Sequence, residues 1–236
     1  MQNTTLAFAA IAGSGYADVA NTLALSASSE NKLTPPKTGK IPVAFLISRG
    51  ATMIDYAGPW EVFQDVHVPG RGSDHADQMP FELFTVSDTT EVVVGSAGLK
   101  IVPNYSFENA PSPKVVVIPA QGGRSRSMFE WLAKVSETAD VIMSVCTGAF
   151  ILAKAGMLNG KPATTHHDYL DPLAKQFPDI QIKRGLRFVE GQKICTAGGL
   201  TSGIDLALRV VERYFGREVA QTTAIYMEYQ SDGWKV

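Results

Sequence analysis

Residues 141–158, VIMSVCTGAFILAKAGML, decide how the chain is read. VIMSV is a short apolar run with β-branched residues, the pattern of a buried strand. Cys146 comes next, then Thr147-Gly148, then AFILAKAGML, whose apolar residues suit a mostly buried helix. The cysteine therefore falls on a sharp strand-to-helix turn. Such a turn pushes a side chain out over the carboxyl edge of a sheet, as the serine elbow of hydrolases does. The first free N–H groups of the helix point toward it, and their positive end is expected to favour a thiolate over a thiol. A buried, inert thiol is the plain alternative, since free cysteine is among the most buried residue types. At a strand–Cys–Thr–Gly–helix junction the nucleophile is the preferred reading.

Upstream, VAFLIS (43–48), FELFTVS (81–87) and KVVVIP (114–119) read as strands, the last covered on both faces. Asp55 ends a short turn after the first of them, and Gly58-Pro59 is expected to open a helix with proline in its first turn. Asp55 then lies at or just past the carboxyl end of the first strand, where open α/β sheets put their ligand sites. Its plain alternative is to cap that helix. HVPGRGSDHADQMP (67–80) reads as a polar loop, and EVVVGSAGLKIVPNYSF (91–107) as a hairpin bending near Gly95 and Gly98. MFEWLAKVSETA (128–139) is amphipathic, with Met128, Trp131, Leu132 and Val135 on one stripe.

Downstream of the elbow, Ala163 to Thr165 form a short strand ending at His166, and residues 168–177 a helix. IQIK (180–183) and RFVEGQKICTAG (187–198) read as strands, the second folding back through Glu190-Gly191. A long helix follows over 199–216, capped by Thr201 or Ser202 and stopped by Gly216, with a last helix over 217–229. Strands alternating with helices predict an α/β fold: a mostly parallel sheet flanked by helices on both faces. Residues 41–229 read as a single domain, 1–40 as an N-terminal arm and 230–236 as a C-terminal tail.

A chain of 236 residues with 45% hydrophobic and 19% charged residues suits a globular protein with a substantial core. A net charge of −2 makes no electrostatic case for nucleic acid or an anionic membrane. Two cysteines, Cys146 and Cys195, are too few for a disulfide scaffold, and no Cys/His cluster has zinc-site spacing. Neither metal nor cofactor is expected. The arm is apolar and small over TTLAFAAIAGSGYA, then polar, and PPKTGK (35–40) reads as a linker. No stretch reaches the roughly 18–20 apolar residues a membrane span needs. The arm is either that of a cytoplasmic protein or the rear part of an export signal on a periplasmic one.

Four stretches taken together, IDYAGPWEVF (54–63), VVVIPAQGG (115–123), SVCTGAFILAKAGMLNGKPATTHH (144–167) and CTAGGLTSGIDLAL (195–208), resemble the ThiJ/PfpI superfamily of class I glutamine-amidotransferase-like, flavodoxin-like proteins. Within it the likeness is greatest to the isonitrile (isocyanide) hydratase branch. The resemblance implies a nucleophilic Cys146 and an acidic partner at Asp55. It also puts Thr147 where many relatives carry histidine, which argues against peptidase chemistry. Hydratase-like relatives usually have Gly-Gly after the proline ending the 114–119 strand, whose backbone supplies an oxyanion-type donor. This chain has Ala120-Gln121-Gly122-Gly123, keeping an N–H at Gln121 but crowding the loop with Cβ atoms.

The candidate catalytic residues are thus Cys146, Asp55 and Thr147, with Gln121, Gly122 and His166 toward the substrate. Thr147 steadies an intermediate in this reading, or merely satisfies the first helical turn. His166 is either near the cysteine or a buried histidine bonded to backbone. Asp205 and Cys195 read as structural, His167 as surface, and Arg124 with Arg126 as a solvated turn. The resemblance implies a small-molecule substrate, a homodimer and hydration of isonitriles. A glyoxalase- or deglycase-like activity on reactive carbonyls is the alternative, or a non-catalytic redox or ligand sensor. AraC-type regulators share the fold ahead of a DNA-binding unit, for which this chain, ending at Val236, is expected to leave no room.

Overall fold

Strand β1 (Ile41–Leu46) sends alternate side chains into two different cores, Ile41, Val43 and Phe45 into one, Ala44 and Leu46 into the other. The computed structural model describes residues 31–236, of which Leu33–Lys235 form one compact unit. The expected N-terminal arm lies outside the described residues over positions 1–30. Helix α1 (Met53–Gln64) follows β1, the short α2 (His75–Gln78) interrupts the next loop, and β2 (Phe81–Ser87) lies parallel to β1. The β3 (Val93–Val94) and β4 (Lys100–Ile101) pair is the predicted hairpin, bent through a 3-10 turn at Ser96–Gly98. Then come β5 (Tyr105–Ser106), β6 (Val115–Ile118), α3 (Arg126–Thr138) and β7 (Val141–Ser144).

Beyond the elbow lie α4 (Ala149–Lys154), β8 (Pro162–Ala163), α5 (Leu170–Gln176), β9 (Gln181–Ile182), β10 (Phe188–Val189) and β11 (Ile194–Ala197). The long α6 (Ser202–Phe215) and then α7 (Arg217–Tyr226) close the order. Val115 and Val117 of β6 and Val141 and Met143 of β7 join the first core, where Val62, Phe63, Leu206 and Val210 from α1 and α6 cover them. Val116, Ile118 and Ile142 face Met128, Leu132 and Ile151 from α3 and α4 on the other side. Strands apolar on both faces have to be covered twice, which makes the sheet the middle of three layers.

The sheet runs β10-β11-β7-β6-β1-β2-β5, parallel throughout except that β10 is antiparallel to β11. From β1 the chain first builds outward through β2, then returns to β6 and builds the other way. The strand order therefore reverses between β1 and β6, and the loops after those two strands diverge into a crevice.

Several boundaries differ from the sequence expectation. Helix α1 starts at Met53, not near Gly58, so Asp55 stands inside its first turn and Pro59 inside the helix. The extended Thr52 is its N-cap, and Pro59 removes only the N–H that would reach the Asp55 carbonyl. Helix α4 is short because Gly156, at φ 72, ends it: Met157 N donates to Leu152 O at 3.0 Å and Gly156 N to Ala153 O at 2.9 Å, a Schellman stop. Neither Thr201 nor Ser202 caps α6 with its side chain. The linker at 35–40 is tied down, Arg71 donating to the Pro36 and Gly39 carbonyls. In the expected tail, Trp234 is fully buried, with the Arg217 guanidinium 5.2 Å from its ring centre.

Candidate active site

At the end of β7 the backbone of Cys146 turns into the left-handed region at φ 57. A non-glycine residue is uncommon there and costs of order 1–3 kcal/mol, so the conformation has to be held by its surroundings. Here it is held from both sides. Cys146 N donates to Gly198 O at 2.7 Å, and the buried Thr165 hydroxyl donates to the Cys146 carbonyl at 2.8 Å. Gly148 lets the elbow lie against the end of β6: a Cβ there would stand 2.2 Å from the Ile118 carbonyl oxygen. Cys146 as a whole is 8% exposed.

Asp55 reaches the same place from α1. It has no exposed surface, its Oδ2 accepts from Ala120 N at 3.0 Å, and its Oδ1 has no hydrogen-bond partner among the described residues. Ala120 O in turn accepts from Thr52 N at 2.8 Å, so the loops after β1 and β6 are stitched together around the carboxylate. Burial raises the Asp55 pKa from 3.8 to about 6, against a smaller downward pull from the Ala120 N–H.

Cys146 is pushed up from 9.0 to about 11, first by burial and then by the Asp55 charge. The N–H groups of Thr147 and Leu200 and the Thr147 hydroxyl pull the other way and are outweighed. The expected thiolate is therefore a thiol. The turn after Cys146 supplies only a 3-10 segment, Cys146–Gly148, and the six residues of α4. So little helix cannot offset burial beside a carboxylate. At neutral pH the site holds a protonated sulfur next to a mostly ionised carboxylate, a pair with one proton to share.

The substrate-side candidates divide. Gln121 is buried with its side chain turned onto the loop after β1, where Oε1 accepts from Ser48 N at 2.6 Å and Ser48 Oγ at 2.9 Å. Its Nε2 has no partner, and no described residue accepts from its backbone N–H. Gly122 has its N–H committed to Arg49 O at 2.8 Å and offers no free donor. His166 has 17% of its side chain exposed, and its Nδ1 accepts from Asp168 N at 3.3 Å. It packs on Gly199, whose Cβ, were there one, would stand 2.4 Å from the ring. No hydrogen bond joins it to Cys146. Among the described residues, His166, His167 and Asp168 are the group whose ligand atoms could share an ion, all within 4.8 Å, with His167 and Asp168 exposed.

Three further residues matter that the sequence did not single out. Thr165 holds the Cys146 carbonyl. Leu200, itself at φ 49, aims its N–H at the sulfur. Arg124, expected as a solvated turn, is half-buried and lines a cleft with Thr147. Left-handed backbone at a leucine is not written in residue type, and Thr165 in ATTHH looks like any strand threonine. The structural readings of Asp205 and Cys195 agree with the packing. Asp205 is buried in an ion pair with Arg187 at 2.5 Å, and Cys195 is buried in β11.

Comparison with known proteins gives this geometry its context. The chain is 29% identical over 194 residues to an isonitrile hydratase from Pseudomonas putida, covering 80% of this chain and 78% of that protein. It is 27% identical to the HTH-type transcriptional regulator GbdR of Pseudomonas aeruginosa, spanning 64% of this chain but only 42% of the regulator. A ThiJ/PfpI family protein from Pseudomonas syringae superposes with a TM-score of 0.70 at 28% identity, covering 84% of this chain and 78% of that one. Drosophila melanogaster DJ-1beta shares the fold, with a TM-score of 0.68 at 18% identity, covering 82% of this chain and all of that one. Residues 42–213 match the DJ-1/PfpI family, and the chain belongs to it.

Proposed function

We propose that the chain is a cofactor-independent cysteine enzyme that adds water to isonitriles, releasing N-substituted formamides. What carries this reading is the left-handed Cys146 at the end of β7 with the fully buried Asp55 carboxylate acting on its sulfur, burial pushing the pKa of both groups up. Hydration of an isonitrile has to deliver a proton and a nucleophile to the same terminal carbon. A thiolate prepared in advance brings only the nucleophile, whereas a thiol–carboxylate pair brings both.

In this mechanism Asp55 takes the thiol proton and passes it to the isonitrile carbon as the sulfur bonds to that carbon, giving the thioimidate R–N=CH–S–Cys146. Water then adds across the C=N bond, its proton leaving to Asp55 and passing from Asp55 to nitrogen. The tetrahedral adduct R–NH–CH(OH)–S–Cys146 collapses by breaking the C–S bond, releasing R–NH–CHO and restoring the thiol. The Thr147 hydroxyl and the N–H groups of Thr147 and Leu200 surround the sulfur and orient these intermediates. The similarity to the Pseudomonas putida hydratase supports the choice of substrate.

The test is turnover of cyclohexyl isocyanide against methylglyoxal by the full chain and by Cys146→Ala. Formamide production lost in the variant is expected; full activity in Cys146→Ala sinks the covalent mechanism, and conversion of methylglyoxal alone moves the reading to reactive carbonyls. The regulator relatives favour a second reading, a ligand- or redox-sensing module. Its mark is selective sulfinate formation at Cys146 with no turnover of either compound. A homodimer goes with the family likeness, and light scattering that returns the mass of a single chain counts against it.

A further inference from the structure

Beside the elbow, on the side of Thr147, lies a cleft of about 340 Å³. That is within the range of small-ligand pockets. One wall is aromatic: Phe150 meets Tyr169 and Phe177 edge-on, with ring centres 6.3 and 6.4 Å apart. The rest of the wall carries Arg124, Thr147 and Lys154, and no carboxylate lines it. Two cations over an aromatic floor, with no internal counter-charge, leave a positive space next to the nucleophile.

Arg124 is the more informative of the two cations. Its Nη1 donates to the Gln121 and Gly123 carbonyls, both at 2.7 Å, which fixes the guanidinium against the loop after β6. Its Nε and Nη2 have no partner among the described residues. Those two groups form the edge of a guanidinium that reads a carboxylate with two parallel hydrogen bonds. The side chain is half-buried, and desolvation works against its charge, a cost that a bound anion would relieve. Lys154, at the carboxyl end of α4, holds its ammonium 5.5 Å from the Phe129 ring centre and makes no ion pair among the described residues.

We propose that this cleft binds the carboxylate of a substrate whose aromatic or apolar body rests on Phe150, Tyr169 and Phe177, the carboxylate being read by the free edge of Arg124 and by Lys154. The inference rests on the hydratase reading for the reacting group, and names its substrate class as isonitriles that carry a carboxylate. Thr147 forms part of the wall, and its hydroxyl and N–H act on the Cys146 sulfur, so in this proposal the reactive end of a molecule in the cleft reaches the thiol past Thr147.

Binding is tested apart from chemistry by ligand-observed NMR titration of the full chain with benzoate, benzamide, phenyl phosphate and acetate. Benzoate is expected to bind at least about tenfold more tightly than benzamide, as charge-assisted bonds to a half-buried guanidinium imply. Acetate is expected to bind more weakly than benzoate, for want of a ring. The benzoate-to-benzamide ratio should fall several-fold in Lys154→Gln and toward one in Arg124→Gln, with part restored in Arg124→Lys. Because Arg124→Gln also frees the loop carbonyls, Lys154→Gln at its exposed position is the cleaner variant. Equal affinity for benzoate and benzamide, or a ratio unmoved by either glutamine variant, overturns the proposal. Tighter binding of phenyl phosphate than benzoate overturns the carboxylate and makes the anion a phosphoryl group. Turnover of 4-isocyanobenzoate and phenyl isocyanide then separates the two readings. Hydration of both with no preference for the acid overturns the cleft alone. A variant-sensitive benzoate site with hydration of neither overturns the hydratase reading and leaves the cleft as an anion site.

Discussion

Replacing Asp55 with asparagine is expected to abolish turnover and, at the same time, to make the protein more stable above pH 6. The carboxylate is fully buried and its pKa stands at about 6 instead of 3.8. A carboxyl whose folded-state pKa is raised binds its proton more tightly folded than unfolded, so ionising it works against folding. The cost is absent below about pH 3.8, grows between there and about 6, and is complete above. At about 1.4 kcal/mol per pH unit, the gap between 3.8 and about 6 amounts to about 3 kcal/mol. Asparagine keeps the shape and can still accept from Ala120 N, so it removes the charge without opening a cavity.

Urea denaturation of wild type and Asp55→Asn from pH 4 to pH 8.5 checks this. The variant should exceed wild type by about 2–3 kcal/mol at pH 8, by about half that near pH 5 and by little at pH 4. Part of the gain is offset because the amide Nδ2 inherits the place of the unpartnered Oδ1. A difference independent of pH would refute the claim that the carboxylate's burial sets the cost. A variant less stable than wild type at pH 8 would show that the carboxylate has a compensating partner.

The Cys146 thiol, with its pKa near 11, should react with iodoacetamide slowly at pH 7 and about tenfold faster per pH unit toward pH 10; Asp55→Asn should lower that pKa and speed the reaction at pH 8, as followed by mass spectrometry. Removing the hydroxyl that holds the elbow, in Thr165→Val, should cost about 1–2 kcal/mol and lower kcat more than it changes KM, by denaturation and steady-state kinetics. At position 146 glycine should be more stable than alanine by about 1 kcal/mol, reversing the usual order, because φ 57 suits glycine; thermal unfolding of Cys146→Gly and Cys146→Ala measures it.

The layered fold was legible because its strands carry their burial in their spelling. VAFLIS and KVVVIP are apolar at consecutive positions, and only a strand covered on both faces wants that. The elbow was legible for a similar reason, as a strand run followed at once by a helical run with Cys-Thr-Gly between. What was not legible depended on long-range partners. The helix that carries Asp55 was started too late, because Gly58-Pro59 looks like an opening, and Thr52 caps by backbone conformation without a side-chain bond. Gly122 was placed toward the substrate, but its N–H is bonded to Arg49 O, a partner 73 residues earlier in the chain by the same pairing that ties Ser48 to Gln121. The thiol's protonation state turned on the burial of the site and on the charge of a residue far away in sequence, neither of which a local motif contains.

The two cysteines of this chain supply an internal control on the reading of Cys146. Both are buried, and burial raises the pKa of each. Cys195 sits in regular strand geometry in β11, with the Arg213 guanidinium 3.7 Å from its sulfur and partly offsetting its burial. Its backbone is unstrained, and a cation stands against its sulfur. Around Cys146 the surroundings do the reverse: its own backbone is left-handed, Leu200 beside it is left-handed at φ 49, and the charge acting on its sulfur is that of the buried Asp55, which opposes its ionisation. Each of these features costs of order 1–3 kcal/mol against a net stability of roughly 5–15 kcal/mol for a domain. Of the four left-handed non-glycine residues among the described residues, Ala97 and Glu228 lie elsewhere, while Cys146 and Leu200 fall together beside the buried carboxylate. The meeting of these costs on one sulfur, at the end of the strand next to the point where the sheet order reverses, is what a site held for chemistry looks like, and the Asp55→Asn and Cys146→Gly measurements put two of the three costs on a scale.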